Sequence, residues 1–267
     1  MKNKKAFKKL VSLKDYLKNL DSAIIAFSGG LDSSFLLKIA QEVLKKRVVA
    51  VTAKAFFIPP WEIQEAQKIA RSMGVKHLII STQHFKKNFL KNTSLRCYWC
   101  KRELFKKLRQ ISKTYKIDVI MDGTILDDKK DFRPGFKANR EYKIISPLKK
   151  IGFLKEEIRL LAKHMGLSFW NKPSTTCLGS RIPFGERITF TRIKRIEKAE
   201  YLLRKFLGEN ILFRLRDHNT LARLEIEKDT LSKFISDKNV DYLLKKLKHL
   251  GYRYITIDLE GYKPAIL

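Results

Sequence analysis

The sequence predicts an α/β protein: a mostly parallel, doubly wound sheet with a second, smaller α+β domain behind it. Three observations carry that expectation. Short apolar runs rich in β-branched residues alternate with segments of helical period. The first apolar run, AIIAF at 23–27, ends on a glycine pair and is followed at once by a helical pattern from Ser33 to Val43. After about residue 168 the alternation stops, and a stretch carrying Gly179, Gly185, Pro173 and Pro183 follows.

The elements read in order. RVVAVTA at 47–53 is a strand, Trp61–Met73 a helix and KHLIIST at 76–82 a strand. A helix near Lys101–Tyr115 precedes a strand at 118–123, an extended piece around Ile144, and a helix Lys155–Met165 stopped by Gly166. In the last third the pattern is a helix Thr191–Phe206, strands at 211–217 and 221–227, one helix Thr230–Leu247 and a strand at 253–259. Domain boundaries follow: 1–170 for the larger domain, 171–188 for a functional loop, 189–267 for the smaller one. Ligands of a parallel sheet bind beyond the carboxyl ends of its strands, so the functional residues are sought there.

Charge is the unusual bulk feature. The chain has 57 Lys and Arg against 27 Asp and Glu, a net +30. Such a surface favours polyanions, but lysine is spread along the whole chain, so a compositional or heat-adapted surface accounts for it as well, and charge alone does not make an RNA enzyme. No run of about 18 apolar residues is present and the start is polar, so the chain reads as soluble and cytoplasmic with no membrane partner. With 3 cysteines, Cys97, Cys100 and Cys177, no disulfide framework is expected.

The string SGGLDS at 28–33 places two glycines between a strand and a helix. Glycine lets the chain turn tightly, so the first amides of the helix point at one spot, and that spot suits a phosphate. Ser28 and Ser33 add hydroxyls, and Asp32 could cap the helix or hold magnesium. An ordinary strand-to-helix turn is the competing reading. Neither a dinucleotide fingerprint nor a Walker loop is present.

Cys97 and Cys100 form C-x-x-C, a spacing that lets two thiolates share a metal. Cys177 sits in the Gly/Pro-rich loop, and three sulfurs can hold a 4Fe-4S cluster with one iron left open. A redox pair, a zinc site completed by histidine and plain packing are the alternatives. None of His77, His84, His164, His218 and His249 stands at ligand spacing from another, so they read as surface or capping residues. Arg214 and Arg216 alternate on a predicted strand and so share a face. With Arg181 they are candidates for a substrate phosphate, against a solvated strand face. Trp99 could stack on a flat ring or simply pack. Asp127, Asp128 and Asp131 follow the fourth strand and could assist magnesium, although acidic turns are common.

SGGLDS after an apolar strand resembles the pyrophosphate loop of the PP-loop ATPases, whose fold is adenine nucleotide alpha hydrolase-like. The strings RCYWCKRELF at 96–105, DGTILDDKKDFRPG at 122–135, SPL at 146–148 and WNKPSTTCLGSRIPFGERIT at 170–189 occur with it in one order. Together they resemble the LarE family of ATP-dependent sulfur transferases over nearly the entire chain. The resemblance implies adenylation of a carboxylate of pyridinium-3,5-biscarboxylate mononucleotide, then replacement of AMP by sulfur, toward the nickel-pincer nucleotide cofactor. It implies ATP and Mg2+ held by Ser28, Gly29, Gly30, Asp32 and Ser33, with Thr52, Ala53, Gly123 and Asp127 in the ATP site. Glu200, Glu225 and Asp229 resemble carboxylates near the family's substrate site.

Some members give up the sulfur of the cysteine that stands here as Cys177. Others hold a 4Fe-4S cluster, and three cysteines favour that subgroup here, with sulfide or another sulfur donor as partner. The family tends to form homo-oligomers. A tRNA thiolase of the same superfamily is the rival, but the extra zinc-knuckle cysteines or RNA module it would carry are missing, so nucleic acid is not the favoured partner. The ending GYKPAIL departs from the family's pattern.

Overall fold

The computed structural model describes residues 2–82, 87–127, 134–208 and 211–263. They fall into two compact units, the first drawn from Met1–Lys86 and Leu95–Thr175, the second from Lys87–Ser94 and Thr176–Ile266. No helix among the described residues is long and apolar enough to cross a membrane.

The first unit is built on a parallel sheet of β1 (Ala23–Ala26), β2 (Val48–Lys54), β3 (Lys76–Ser81) and β4 (Ile120–Asp122), in the order β3-β2-β1-β4. Successive side chains of a strand point to opposite faces, and here both faces are buried. Ala23, Ile25, Val48 and Ala50 face one cluster, which holds Leu13 and Leu17 of α1 (Lys2–Lys18), Phe35 and Leu36 of α2 (Leu31–Leu44) and Ile158 and Leu161 of α8 (Lys155–His164). Ile24, Val49, Val51 and Ile120 face a second cluster around Tyr98, Phe105 and Leu108 of α5 (Arg96–Tyr115). This double burial is why the strands read as continuous apolar runs rather than alternating ones.

The connections are α2 after β1, α3 (Pro60–Ser72) after β2, and α5 before β4. Beyond β4 come α6 (Gly135–Glu141), α7 (Pro147–Ile151) and α8. The extended piece near Ile144 is a single parallel bridge, Met121 to Ile145. In this unit a boundary and a whole helix differ from the sequence expectation. α5 begins at Arg96, five residues before Lys101, so both cysteines of C-x-x-C are helical. α1 is a helix that the lysine-rich start conceals, and its buried Ala6, Leu13 and Leu17 supply the apolar stripe.

The second unit contains α4 (Lys87–Leu90), a 3-10 turn Leu178–Arg181, α9 (Phe190–Leu207), β5 (Phe213–His218), β6 (Leu221–Ile226), α10 (Lys228–Ile235), α11 (Val240–His249) and β7 (Tyr254–Ile257). Its sheet runs β5-β6-β7, antiparallel then parallel. The single helix expected over Thr230–Leu247 is two. Asp237 breaks it: its side chain accepts from the Asn239 amide at 2.8 Å and its carbonyl from Val240 at 2.9 Å, a local turn that competes with the helix. Segment 87–94 is tied into this unit, where the Asn92 side-chain amide donates to the carbonyls of Ile182 and Pro183 at 3.2 and 2.7 Å.

Asp217 is fully buried and organises the unit. Arg192 and Arg195 of α9 and the Tyr252 hydroxyl all donate to its carboxylate, at 2.7, 2.5 and 2.9 Å respectively. Burial first, and then the adjacent charge of Asp217, hold the Tyr252 phenol well above its usual range.

Candidate active site

The phosphate-type turn follows β1. Gly29 takes φ +71, a backbone region that glycine enters without penalty. A Cβ there would also stand 2.9 Å from the Cα of Ala66, so α3 packs directly on the turn. The Ser28 and Ser33 hydroxyls are 3.0 Å apart, the Gly30 amide donates to Ser28 Oγ at 3.3 Å, and Ser33 Oγ donates to the Gly30 carbonyl at 3.1 Å. This lattice fixes the turn while the first-turn amides of α2 retain the anion-attracting character of a helix N-terminus. Gly123, just past β4, is required for another reason. A Cβ at that position would lie 2.7 Å from the backbone nitrogen of Ser33, so β4 ends against the start of α2.

Asp32 does not cap α2; Gly30 occupies that position without a side-chain cap. Its carboxylate instead accepts from the Lys155 ammonium at 2.7 and 2.9 Å. The backbone amide of Lys155 donates to Asp127 Oδ2 at 2.7 Å, so one residue ties the phosphate turn to the loop after β4. Asp128 and Asp131 lie outside the described residues. Lys172 approaches the turn as well, donating to the Gly29 carbonyl at 3.0 Å and pairing with Glu62 at 3.4 Å.

A cavity of ≈ 170 Å³ continues from the turn, lined by Ser28, Thr52, Ala53, Glu62 and Cys100 with apolar side chains such as Phe57. Thr52 Oγ1 donates to the Phe27 carbonyl at 2.7 Å. That uses its only proton, so its 2.7 Å contact with His77 Nε2 requires the imidazole to donate. His77 is therefore no surface histidine: it is half-buried, and burial lowers its pKa.

Cys97 and Cys100 stand one turn apart at the start of α5 and both are half-buried. Trp99 between them makes an edge contact with Tyr98, centroids 4.9 Å apart, and carries the Arg102 guanidinium 5.5 Å from its ring. The next residue, Lys101, reaches Asp122 Oδ2 at 3.4 Å and Asn139 Oδ1 at 3.2 Å. Asp122 is buried at the end of β4 and also accepts from the hydroxyls of Ser146 at 2.6 Å and Thr124 at 2.7 Å, and from the Asn139 amide at 2.8 Å. Burial opposes ionisation of Asp122 more than any other single influence. Lys101 and the bonds from Ser146, Asn139 and Thr124 together outweigh it and hold the carboxyl below its usual range.

In the second unit, the half-buried Cys177 immediately precedes the 3-10 turn, and Ser180 donates to its carbonyl from Oγ at 2.8 Å and from the amide at 3.0 Å. Arg181 forks onto Glu200 at 2.8 and 3.1 Å, both side chains buried. Burial disfavours its charge most, yet Glu200 overrides this and raises the guanidinium pKa. Arg214 and Arg216 share one face of β5 and both donate to Glu225, at 3.0 and 2.6 Å. This is no solvated strand face, since Arg214 is 2% exposed. Burial, then the neighbouring Arg181, lowers the Arg214 pKa, and its Nε has no hydrogen-bond partner among the described residues. An oxyanion is the kind of ligand such a donor set can accept. Thus Arg181, Arg214, Arg216, Glu200 and Glu225 gather around one patch that also contains the Cys177 loop, through the Arg216 bond to the Ser180 carbonyl at 2.9 Å.

Among the described residues no three His, Cys, Asp or Glu side chains stand together as a metal site.

A family model described as NAD synthase matches residues 6–115. The chain is 37% identical over 260 residues to an uncharacterized protein of Synechocystis, covering 97% of this chain and 96% of that protein. It is 34% identical over 259 residues to an uncharacterized protein of Methanocaldococcus jannaschii, covering 96% and 98%. It is 32% identical over 251 residues to the pyridinium-3,5-bisthiocarboxylic acid mononucleotide synthase of Lactiplantibacillus plantarum, covering 93% of this chain and 90% of the synthase. The chain belongs to the LarE family of ATP-dependent sulfur transferases.

Within this LarE-family chain, sequence reasoning did not single out Glu62, Lys101, Asp122, Asn139, Ser146, Lys155 or Lys172. The one available signal was that Lys101, Asp122, Ser146 and Lys172 all lie inside the strings that carry the family resemblance. Nothing local distinguished Glu62 or Lys155 from the many charged residues of this chain.

Proposed function

We propose that this chain uses ATP to adenylate a carboxylate of pyridinium-3,5-biscarboxylate mononucleotide and then replaces AMP with sulfur, leaving a thiocarboxylate on the path to a nickel-pincer nucleotide. The observation that carries this reading is the continuity of the phosphate-type turn with a largely apolar cavity that has a cysteine on its wall: Ser28 belongs to both, and Cys100 lines the second. An adenine against Thr52 and Ala53 would place its phosphates at Ser28, Gly29, Gly30 and Ser33. Asp32 and Asp127 are the carboxylates for Mg2+ there, with Lys155 exchanged to the phosphates. Gly123 keeps the floor of the turn open.

The chemistry then needs two displacements. A substrate carboxylate oxygen attacks the α-phosphorus and pyrophosphate leaves. A sulfur nucleophile next attacks the acyl carbon, and AMP leaves with the former carboxylate oxygen. A carboxylate resists direct attack, and the AMP leaving group removes that obstacle. Arg181, Arg214 and Arg216 would hold the substrate phosphate, with Glu200 and Glu225 fixing their guanidinium planes, and Trp99 would offer a ring face. In this reading 1–170 is the ATP domain, 171–188 the loop that delivers Cys177, and 189–267 the part for substrate binding and homo-oligomer contacts.

Three half-buried thiols are the soft donor set that suits an iron–sulfur centre. Cys97, Cys100 and Cys177 would hold a 4Fe-4S cluster, whose open iron would supply bound sulfide. The test is anaerobic purification with iron and sulfide analysis, and intact mass before and after turnover with ATP, the biscarboxylate and sulfide. Product formed over several turnovers at unchanged protein mass supports the reading. Loss of one sulfur from Cys177 per product replaces the cluster with sacrificial donation. Failure to release pyrophosphate with this acid, together with tight, steeply salt-dependent tRNA binding, would make the chain a tRNA thiolase instead.

A further inference from the structure

We infer that Glu62 is the residue by which this protein recognises the ribose hydroxyls of its nucleotide, and so the residue that selects ribonucleotides over deoxyribonucleotides. The inference rests on the ATP reading of the cavity. Glu62 stands in the first turn of α3 and is the carboxylate among the described residues lining the cavity. Thr52 and Ala53, where a base is proposed, and Ser28 of the phosphate turn line the same cavity as Glu62. A sugar joining the two groups has to pass the wall between them. Glu62 lies one helical turn before Ala66, the residue that meets Gly29 at the phosphate turn, so it sits on the helix face turned toward the nucleotide.

The carboxylate is built into place. Its Oε2 is 3.4 Å from the Lys172 ammonium and accepts from Thr175 Oγ1 at 3.3 Å, and Lys172 in turn donates to the Gly29 carbonyl at 3.0 Å. The side chains of Glu62 and Lys172 are 13% and 14% exposed, which restricts the rotamers the carboxylate can adopt. A carboxylate repels phosphate in direct contact, and that of Glu62 is engaged by Lys172 and Thr175, so it is not a direct phosphate ligand. A carboxylate with remaining acceptor capacity suits a vicinal diol, the same use that dinucleotide-binding folds make of an acidic residue against ribose. Lys172 balances the charge and links the sugar contact to the phosphate turn.

The experiment is calorimetric titration of the full chain with ATP, 2′-deoxy-ATP and 3′-deoxy-ATP, for the parent protein, E62Q and E62D. The parent is expected to bind ATP about tenfold or more tightly than at least one deoxy analogue, the size of a hydrogen bond to a charged group. In E62Q the preference falls to within about twofold because the loss falls on ATP, and E62D, with the charge kept, recovers part of it. Saturable binding of the deoxy analogues by E62Q serves as its folding control. Full ribose preference retained in E62Q overturns the assignment while leaving the ATP site standing. A parent protein that binds no adenine nucleotide removes both.

Discussion

Replacing Asp122 by Asn tests whether the buried network at the end of β4 supports the fold and the site as its geometry indicates. The carboxylate accepts five hydrogen bonds and no group on it donates: Oδ1 takes Ser146 Oγ and the Thr124 amide, and Oδ2 takes Thr124 Oγ1, Asn139 Nδ2 and Lys101 Nζ. An Asn side chain must turn an NH2 toward one of these sets. Facing the Oδ2 set, it opposes the Asn139 amide and the Lys101 ammonium even when the Thr124 hydroxyl rotates to accept. Facing the other, the Ser146 hydroxyl can rotate to accept, and only the Thr124 amide at 3.3 Å is left opposed. The second orientation wins, and it leaves one buried donor unmatched and Lys101 without its counter-charge. An unmatched buried donor costs about 1–3 kcal/mol. Lys101 is 34% exposed, so water replaces part of its lost partner and the ion pair adds little.

The expected loss for Asp122→Asn is about 2 kcal/mol, read as a drop of roughly 4–8 °C in the melting of the first unit by calorimetry. The deficit must also depend on pH. The folded-state pKa of Asp122 is depressed, so its ionised form stabilises the protein above the ordinary carboxylate range, and that contribution is lost as pH falls through the folded value. The gap between parent and variant is therefore wide at neutral pH and closes in strong acid. A variant that melts within about 1 °C of the parent at pH 7, or a gap that widens in acid, refutes the reasoning.

Other expectations follow from the same geometry. Gly123→Ala places a methyl group 2.7 Å from the Ser33 nitrogen, and backbone cannot give way as a side chain can. Overpacking of about 1–3 kcal/mol should appear as a roughly tenfold or greater rise in KM for ATP in a pyrophosphate-release assay, and an unchanged KM would show that the turn does not hold nucleotide. Asp217→Asn weakens the ties from Arg192, Arg195 and Tyr252 at once. Because both arginines retain some exposure, about 3 kcal/mol, the low end for a broken buried pair, is expected in urea unfolding, against a negligible change if Asp217 is incidental. Cys97→Ala should abolish multiple turnover and lower the iron bound per chain, and normal turnover in that variant would dispose of the cluster.

What could be read directly from the sequence were features encoded in neighbouring residues. SGGLDS declares its turn because two glycines between an apolar strand and a helical period permit little else. Doubly buried strands show as unbroken runs such as VVAV. The local signal failed where a charged surface disguised an apolar stripe, as in α1, and where Asp237 interrupted a long periodic segment.

The partners of the charged groups were decided only by tertiary structure. The sequence named no protein partner for Asp32, and the fold supplies Lys155, 123 residues away. Asp122 gathers Lys101, Asn139 and Ser146 from three separate elements, and Glu62 finds Lys172 across the phosphate turn. Every third residue of this chain is charged, near enough, at 31%, so sequence offers each carboxylate many possible cations. A Coulomb partner carries no periodicity or spacing rule; it is selected by which side chains the packed strands and helices bring within about 3–4 Å in a place that water does not screen.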